Sequence, residues 1–60
     1  MGYSSKEVIA LLKENGFVLR GSRGSHHYYE KNGIKIPVPH PKKDLPKGTY
    51  KTILKQAGLL

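Results

Sequence analysis

His26-His27-Tyr28-Tyr29-Glu30-Lys31-Asn32-Gly33-Ile34-Lys35-Ile36-Pro37-Val38 is the stretch whose reading decides the fold. Asn-Gly between two β-prone runs is the strongest short hairpin signal a sequence carries, because a two-residue type I′ turn needs positive φ at both central positions. With Asn32-Gly33 as that turn, Lys31 faces Ile34, Glu30 faces Lys35, Tyr29 faces Ile36, Tyr28 faces Pro37, His27 faces Val38 and His26 faces Pro39. Directly opposed residues share a face of the sheet. Ile34, Ile36 and Val38 make the buried face, so Tyr29 turns inward with them and His27 is drawn the same way. His26, Tyr28, Glu30 and Lys35 fall on the open face, where Glu30 and Lys35 are set to form a cross-strand charge pair. A one-residue slip of the register exchanges the two histidines. Pro37 has no N–H to give a ladder, which assigns this third strand to a sheet edge.

Upstream of the hairpin, Phe17-Val18-Leu19-Arg20 is a short β-prone run, and Gly21-Ser22-Arg23-Gly24 reads as the turn or loop that ends it. Before it, Ser4-Ser5-Lys6-Glu7 is a capping box, with Tyr3 and Val8 placed to form a hydrophobic staple. Val8, Leu11 and Leu12 recur at helical spacing, Ile9 broadens their face, and Asn15-Gly16 is a stop, which predicts a helix from about Ser5 to about Asn15. Downstream, the prolines of Pro39 to Pro46 make a stiff connection that discourages helix and central strand alike. From about Lys47 the pattern is helical again, with Tyr50, Ile53, Leu54 and Ala57 on one face and Gly58 as the stop. Lys47, Lys51 and Lys55 recur every four residues and form a basic stripe beside that face. The expected fold class is α+β, in the order α-β-β-β-α. A three-stranded antiparallel sheet carries two helices on one face, in a single domain over residues 1–60, similar in layout to double-stranded-RNA-binding domains.

Sixty residues lie near the lower limit for a core that folds unaided. The absence of cysteine rules out disulfides and thiolate metal sites and fits a cytoplasmic protein. Val8 to Leu12 is too short for the apolar core of a secretory signal, and no stretch is long enough to span a membrane. Met1-Gly2 suggests an acylation start, but Lys6 stands where that pattern needs Ser or Thr. Eleven Lys and Arg against four acids give a net charge of +7, an excess that calls for a polyanionic partner: nucleic acid, an anionic surface or an acidic protein.

Three segments together carry a more specific signal. Gly24-Ser25-His26 on a strand, the Val38-Pro39-His40-Pro41 turn, and Gly48-Thr49 leading into Ile53-Leu54-Lys55-Gln56-Ala57-Gly58 resemble the HicA family of bacterial mRNA interferase toxins, in order and over nearly the whole chain. The resemblance implies metal-independent cleavage of mRNA, no cofactor, no membrane, and neutralisation by a HicB-type antitoxin. The family's catalytic histidine falls in its Gly-Ser-His motif, here His26. Some members carry it one position later, which keeps His27 as an alternative.

The chemistry of RNA agrees with His26. The 2′-hydroxyl is an internal nucleophile, so cleavage needs a base for its proton and donors for the charge growing on phosphate. Histidine titrates near neutrality and can act as base or acid. His40 is a third candidate, as a complementary acid or base or as a structural loop residue. Expected RNA contacts are Arg23, Gly24 and Ser25 beside the histidine, Lys42 and Lys43 within roughly 10 Å of chain from Pro39, and Lys47 and Lys51 on the second helix. Adjacent His26 and His27 point to opposite sides of a strand and cannot readily grip one metal ion.

Overall fold

The structure, a computed structural model, describes residues 3–60, so the Met1-Gly2 start lies outside the described residues. Helix α1 spans Ser5–Glu14, and the Ser4 hydroxyl accepts the Glu7 N–H at 3.1 Å as its N-cap. At the other end the Asn15 side-chain amide donates to the Leu11 carbonyl at 2.8 Å, satisfying one of the carbonyls that a helix end leaves open. Tyr3, expected beside Val8, also has partners far along the chain. Its backbone bridges to Leu45, whose N–H donates to the Tyr3 carbonyl at 2.7 Å, and its ring stacks on that of Tyr50 at 3.8 Å.

Strands β1 (Val18–Arg23), β2 (His26–Lys31) and β3 (Ile34–Pro39) form one antiparallel sheet in the order β1-β2-β3. The first strand runs further than the sequence suggests. Gly21-Ser22-Arg23 belongs to β1 because a bulge between Leu19 and Gly21 absorbs the extra residue, and the turn shrinks to Gly24-Ser25 with Gly24 at φ +58°. The neighbouring strand also supplies a different partner for Glu30. Arg20 Nε reaches its carboxylate at 3.2 Å, so the ion pair is Arg20–Glu30 rather than the expected Glu30–Lys35, although Lys35 is the register partner.

The β2–β3 register is the one the Asn32-Gly33 turn dictates, from Lys31 opposite Ile34 to His26 opposite Pro39. Asn32 has φ +51° and Gly33 φ +82°, the two positive values a type I′ turn needs. Tyr29, Ile36 and Val38 are buried on one face and join Val8, Ile9 and Leu12 of α1, Phe17, Leu45 and Ile53 in the core. Ile34 lies on that same face beside the turn, but there it stays exposed rather than buried as expected. Helix α2, Lys47–Gln56, buries Ile53 and Leu54 and half-buries Tyr50. Both helices therefore cover the face bearing Tyr29, and β3 is an edge strand, as Pro37 requires. Among the described residues no helix is long and apolar enough to cross a membrane.

Candidate active site

The opening half of the hairpin puts His26 at the start of β2, between Arg23 on β1 and Pro39 on β3 as its cross-strand partners. Opposed residues in an antiparallel pair stand about 5 Å apart at Cβ and share a face, so Arg23 and His26 sit side by side on the face turned away from the core. Both are exposed. Gly24 and Ser25, the two turn residues, come immediately before His26 and place it at the end of the hairpin.

His26 also lines a groove of about 670 Å³. Pro37 and Pro39 of β3 line it as well, together with Gly48, Thr49, Thr52 and Gln56 of α2. These helical positions form one stripe, since residues three and four apart lie above one another. Lys47, Lys51 and Lys55 precede Gly48, Thr52 and Gln56 by one residue each, a rotation of about 100° around the helix. The lysine stripe is thus the next strip around α2 from the groove wall, and all three lysines are exposed.

His27 and His40 lie elsewhere. His27 faces Val38 on the inner side of the sheet and is half-buried, with its ring 4.9 Å from that of His40 and tilted by 59°. The His40 N–H donates to the Ser25 carbonyl at 2.6 Å, tying the loop after β3 to the β1–β2 turn. Its Nδ1 stands 2.7 Å from the hydroxyl of Ser5, a residue only 1% exposed. That hydroxyl accepts the Lys42 N–H at 3.0 Å and lies 3.2 Å from the Lys42 carbonyl, while the Ser5 N–H donates to the same carbonyl at 2.9 Å. A hydroxyl has one proton and two lone pairs. When the proton points to Nδ1, His40 is neutral and accepts; when it points to the Lys42 carbonyl, Nδ1 carries its own proton and donates. Rotation of one C–O bond therefore lets Ser5 pair with His40 in either tautomer.

The same backbone pairing carries Lys42 and Lys43 away from His26. They line a second cavity of about 390 Å³ with Ser4, Ser5, Lys6, His40 and Pro41, at the start of α1. Of the residues expected to contact RNA, the structure gathers Arg23, Gly24 and Ser25 beside His26 and sets Lys47 and Lys51 next to the groove wall. Lys42 and Lys43 go with His40 to the other cavity. Two features escape the sequence reading. The uncharged stripe Thr49, Thr52 and Gln56 is signalled by its i, i+3, i+7 spacing, which the lysine stripe overshadows. The Ser5–His40 contact joins residues 35 positions apart and has no local signal.

Burial in this core pushes the Tyr29 phenol above its ordinary value. Among the described residues no three His, Asp or Glu side chains gather where they could share a metal ion.

A family model described as the HicA toxin of bacterial toxin–antitoxin systems matches residues 5–59, from the first residue of α1 to beyond the end of α2. No curated protein matches the chain.

Proposed function

The chain belongs to the HicA toxin family of bacterial toxin–antitoxin systems, and from that membership we propose that it is an mRNA-cleaving endoribonuclease with His26 as its acid or base. The observation that carries this reading is the position of His26, exposed in the larger groove and flanked by Arg23. Membership implies a cognate antitoxin, and the proposed one is of the HicB type.

In the proposed reaction the ribose 2′-oxygen loses its proton and bonds to the adjacent phosphorus while the bond from phosphorus to the 5′-oxygen breaks. The imidazole of His26 either accepts the 2′-proton or delivers one to the departing oxygen. Arg23 neutralises charge on the phosphate with a guanidinium fork suited to paired oxygens. The products are a 2′,3′-cyclic phosphate and a 5′-hydroxyl, and no step calls for a metal ion. His27 and His40 face each other across a packed, tethered contact and serve the loop rather than the groove.

The test is expression of wild type and His26→Ala without a partner, with mRNA integrity followed in cells and with purified protein in EDTA. Expected are cleavage by wild type that persists in EDTA, at least a hundredfold loss in His26→Ala with folding retained, and cyclic-phosphate ends. Intact RNA after long incubation, with salt-sensitive binding only, would replace the enzyme by a non-catalytic RNA-binding module. Products ending in 5′-phosphate would refute the internal-nucleophile chemistry.

A further inference from the structure

The groove beside His26 is unlike the rest of this surface. The chain carries +7, yet apart from the histidine itself no ionisable side chain lines the groove. Pro37 and Pro39 line it from β3, and from α2 come Thr49, Thr52 and Gln56, which carry two hydroxyls and one carboxamide. Cationic side chains stand outside, with Arg23 next to His26 and the lysine stripe on the neighbouring strip of α2. Such a lining favours a group that is uncharged, flat or apolar on one side, and able to exchange hydrogen bonds at its edge, with an attached anionic part at the His26–Arg23 end or beside the lysines.

An unpaired nucleotide has that division. Its base is planar and neutral with donors and acceptors around the edge, and its phosphate is charged. A duplex does not, since its bases are buried in the stack and it offers phosphates and 2′-hydroxyls to a protein. A carboxamide can both donate and accept, the property that lets Gln pair with a base edge. At about 670 Å³ the groove is in the size range of sites for small organic ligands, roughly 300–1,000 Å³.

We propose that Thr52 and Gln56, with Thr49 behind them, form a nucleobase subsite that selects unpaired RNA and sets which nucleotide is held next to His26. This rests on the ribonuclease reading and adds what that reading leaves open, the strandedness and base preference of the substrate. The overall layout shared with double-stranded-RNA-binding domains makes the opposite preference the default expectation, so the two are separable. Pro37 and Pro39 supply the surface on which the base lies, and Lys51 and Lys55 hold neighbouring phosphates.

The test uses the full chain and a pool of single-stranded oligoribonucleotides, with the same sequences annealed to complements. Cleavage positions are mapped for wild type, Thr52→Val, which replaces the hydroxyl by a methyl of similar size, and Gln56→Leu. Expected is at least tenfold protection on annealing. Each variant should lose about two- to tenfold in kcat/KM at the preferred nucleotide, the range of one net hydrogen bond. The loss should fall on KM, with a flatter cleavage map and an unchanged pH profile. Lys51→Gln is the contrast: it should weaken all sequences alike and lower the salt dependence without moving the map. Equal cutting of duplex, or maps unchanged in both variants, overturns the subsite, and an unchanged map is also the result if a partner protein's segment occupies the groove. If wild type cuts nothing, the ribonuclease reading fails separately. Fluorescence anisotropy on the same oligonucleotides then decides the subsite, which stands if single strands bind preferentially and both variants lose that preference, and falls if they do not.

Discussion

Ser5→Ala should destabilise this protein, because one buried oxygen serves three groups. It accepts the Lys42 N–H at 3.0 Å, contacts His40 Nδ1 at 2.7 Å and lies 3.2 Å from the Lys42 carbonyl. The carbonyl keeps the Ser5 N–H at 2.9 Å and loses little. The Lys42 N–H is the main casualty; Lys42 is exposed and the bond part-buried, so its loss costs about 1 kcal/mol. His40 is only half-buried, so its Nδ1 can find water and adds a contribution at the low end, about 0.5–1 kcal/mol. Alanine returns at most about 0.5 kcal/mol as the better helix former. The net is a loss of about 1–1.5 kcal/mol. A single core in a domain below about 70 residues rarely supplies more than ~3–5 kcal/mol, so about a third of the stability is at stake. Urea denaturation checks it: the midpoint should fall with the slope unchanged, as for a loss of stability without a change in the surface exposed. His40→Phe and the double variant complete the cycle, and a coupling of at least about 0.5 kcal/mol is expected for groups in contact. A midpoint within about 0.5 kcal/mol of wild type would refute the role given to Ser5, and additive effects would show that Ser5 and His40 are not partners.

Two further outcomes follow from the hairpin. Burial raises the Tyr29 phenol above its ordinary value of 10.0, so the folded state holds this proton more tightly than the unfolded chain. The associated stability is fully present below about pH 10 and declines as pH rises through the folded value. Tyr29→Phe should leave the urea midpoint at pH 7 nearly unchanged and reduce its fall between pH 9 and 11; an equally steep fall would mean other groups control alkaline unfolding. Gly33→Ala meets no atom within 4 Å, so its cost is that of the backbone at φ +82°, about 1–2 kcal/mol. Asn32→Gly at the adjacent position should be nearly neutral, and the pair compared by thermal unfolding separates turn geometry from side-chain contacts.

Most of the fold was legible because its signals are local. Asn32-Gly33 sets the β2–β3 register within a dozen residues, and the alternation of Ile36 and Val38 leaves one choice of buried face. The capping of α1 and the apolar face of α2 are likewise written in short windows. What was missed depends on residues far apart or on one extra residue. A bulge at Leu19/Gly21 turns an apparent loop into strand, and it brings Arg20 to Glu30 in place of Lys35. Tyr3 pairs with Leu45 and stacks on Tyr50 across the fold, partners with no local signal.

The candidate site divides along the same line. His26, Arg23, Gly24 and Ser25 are placed by a hairpin whose register is local, so their gathering follows from sequence. Lys42 and Lys43 were within reach of His26 by chain length, but reach is not direction. Ser5 binds the Lys42 backbone on both its N–H and carbonyl sides and fixes the loop toward α1. Lys42, Lys43 and His40 line the cavity at the start of α1, and the groove that His26 lines takes its other residues from β3, α2 and Pro46. No lysine lines that groove, which is why, in the proposed reading, it suits a base better than a backbone.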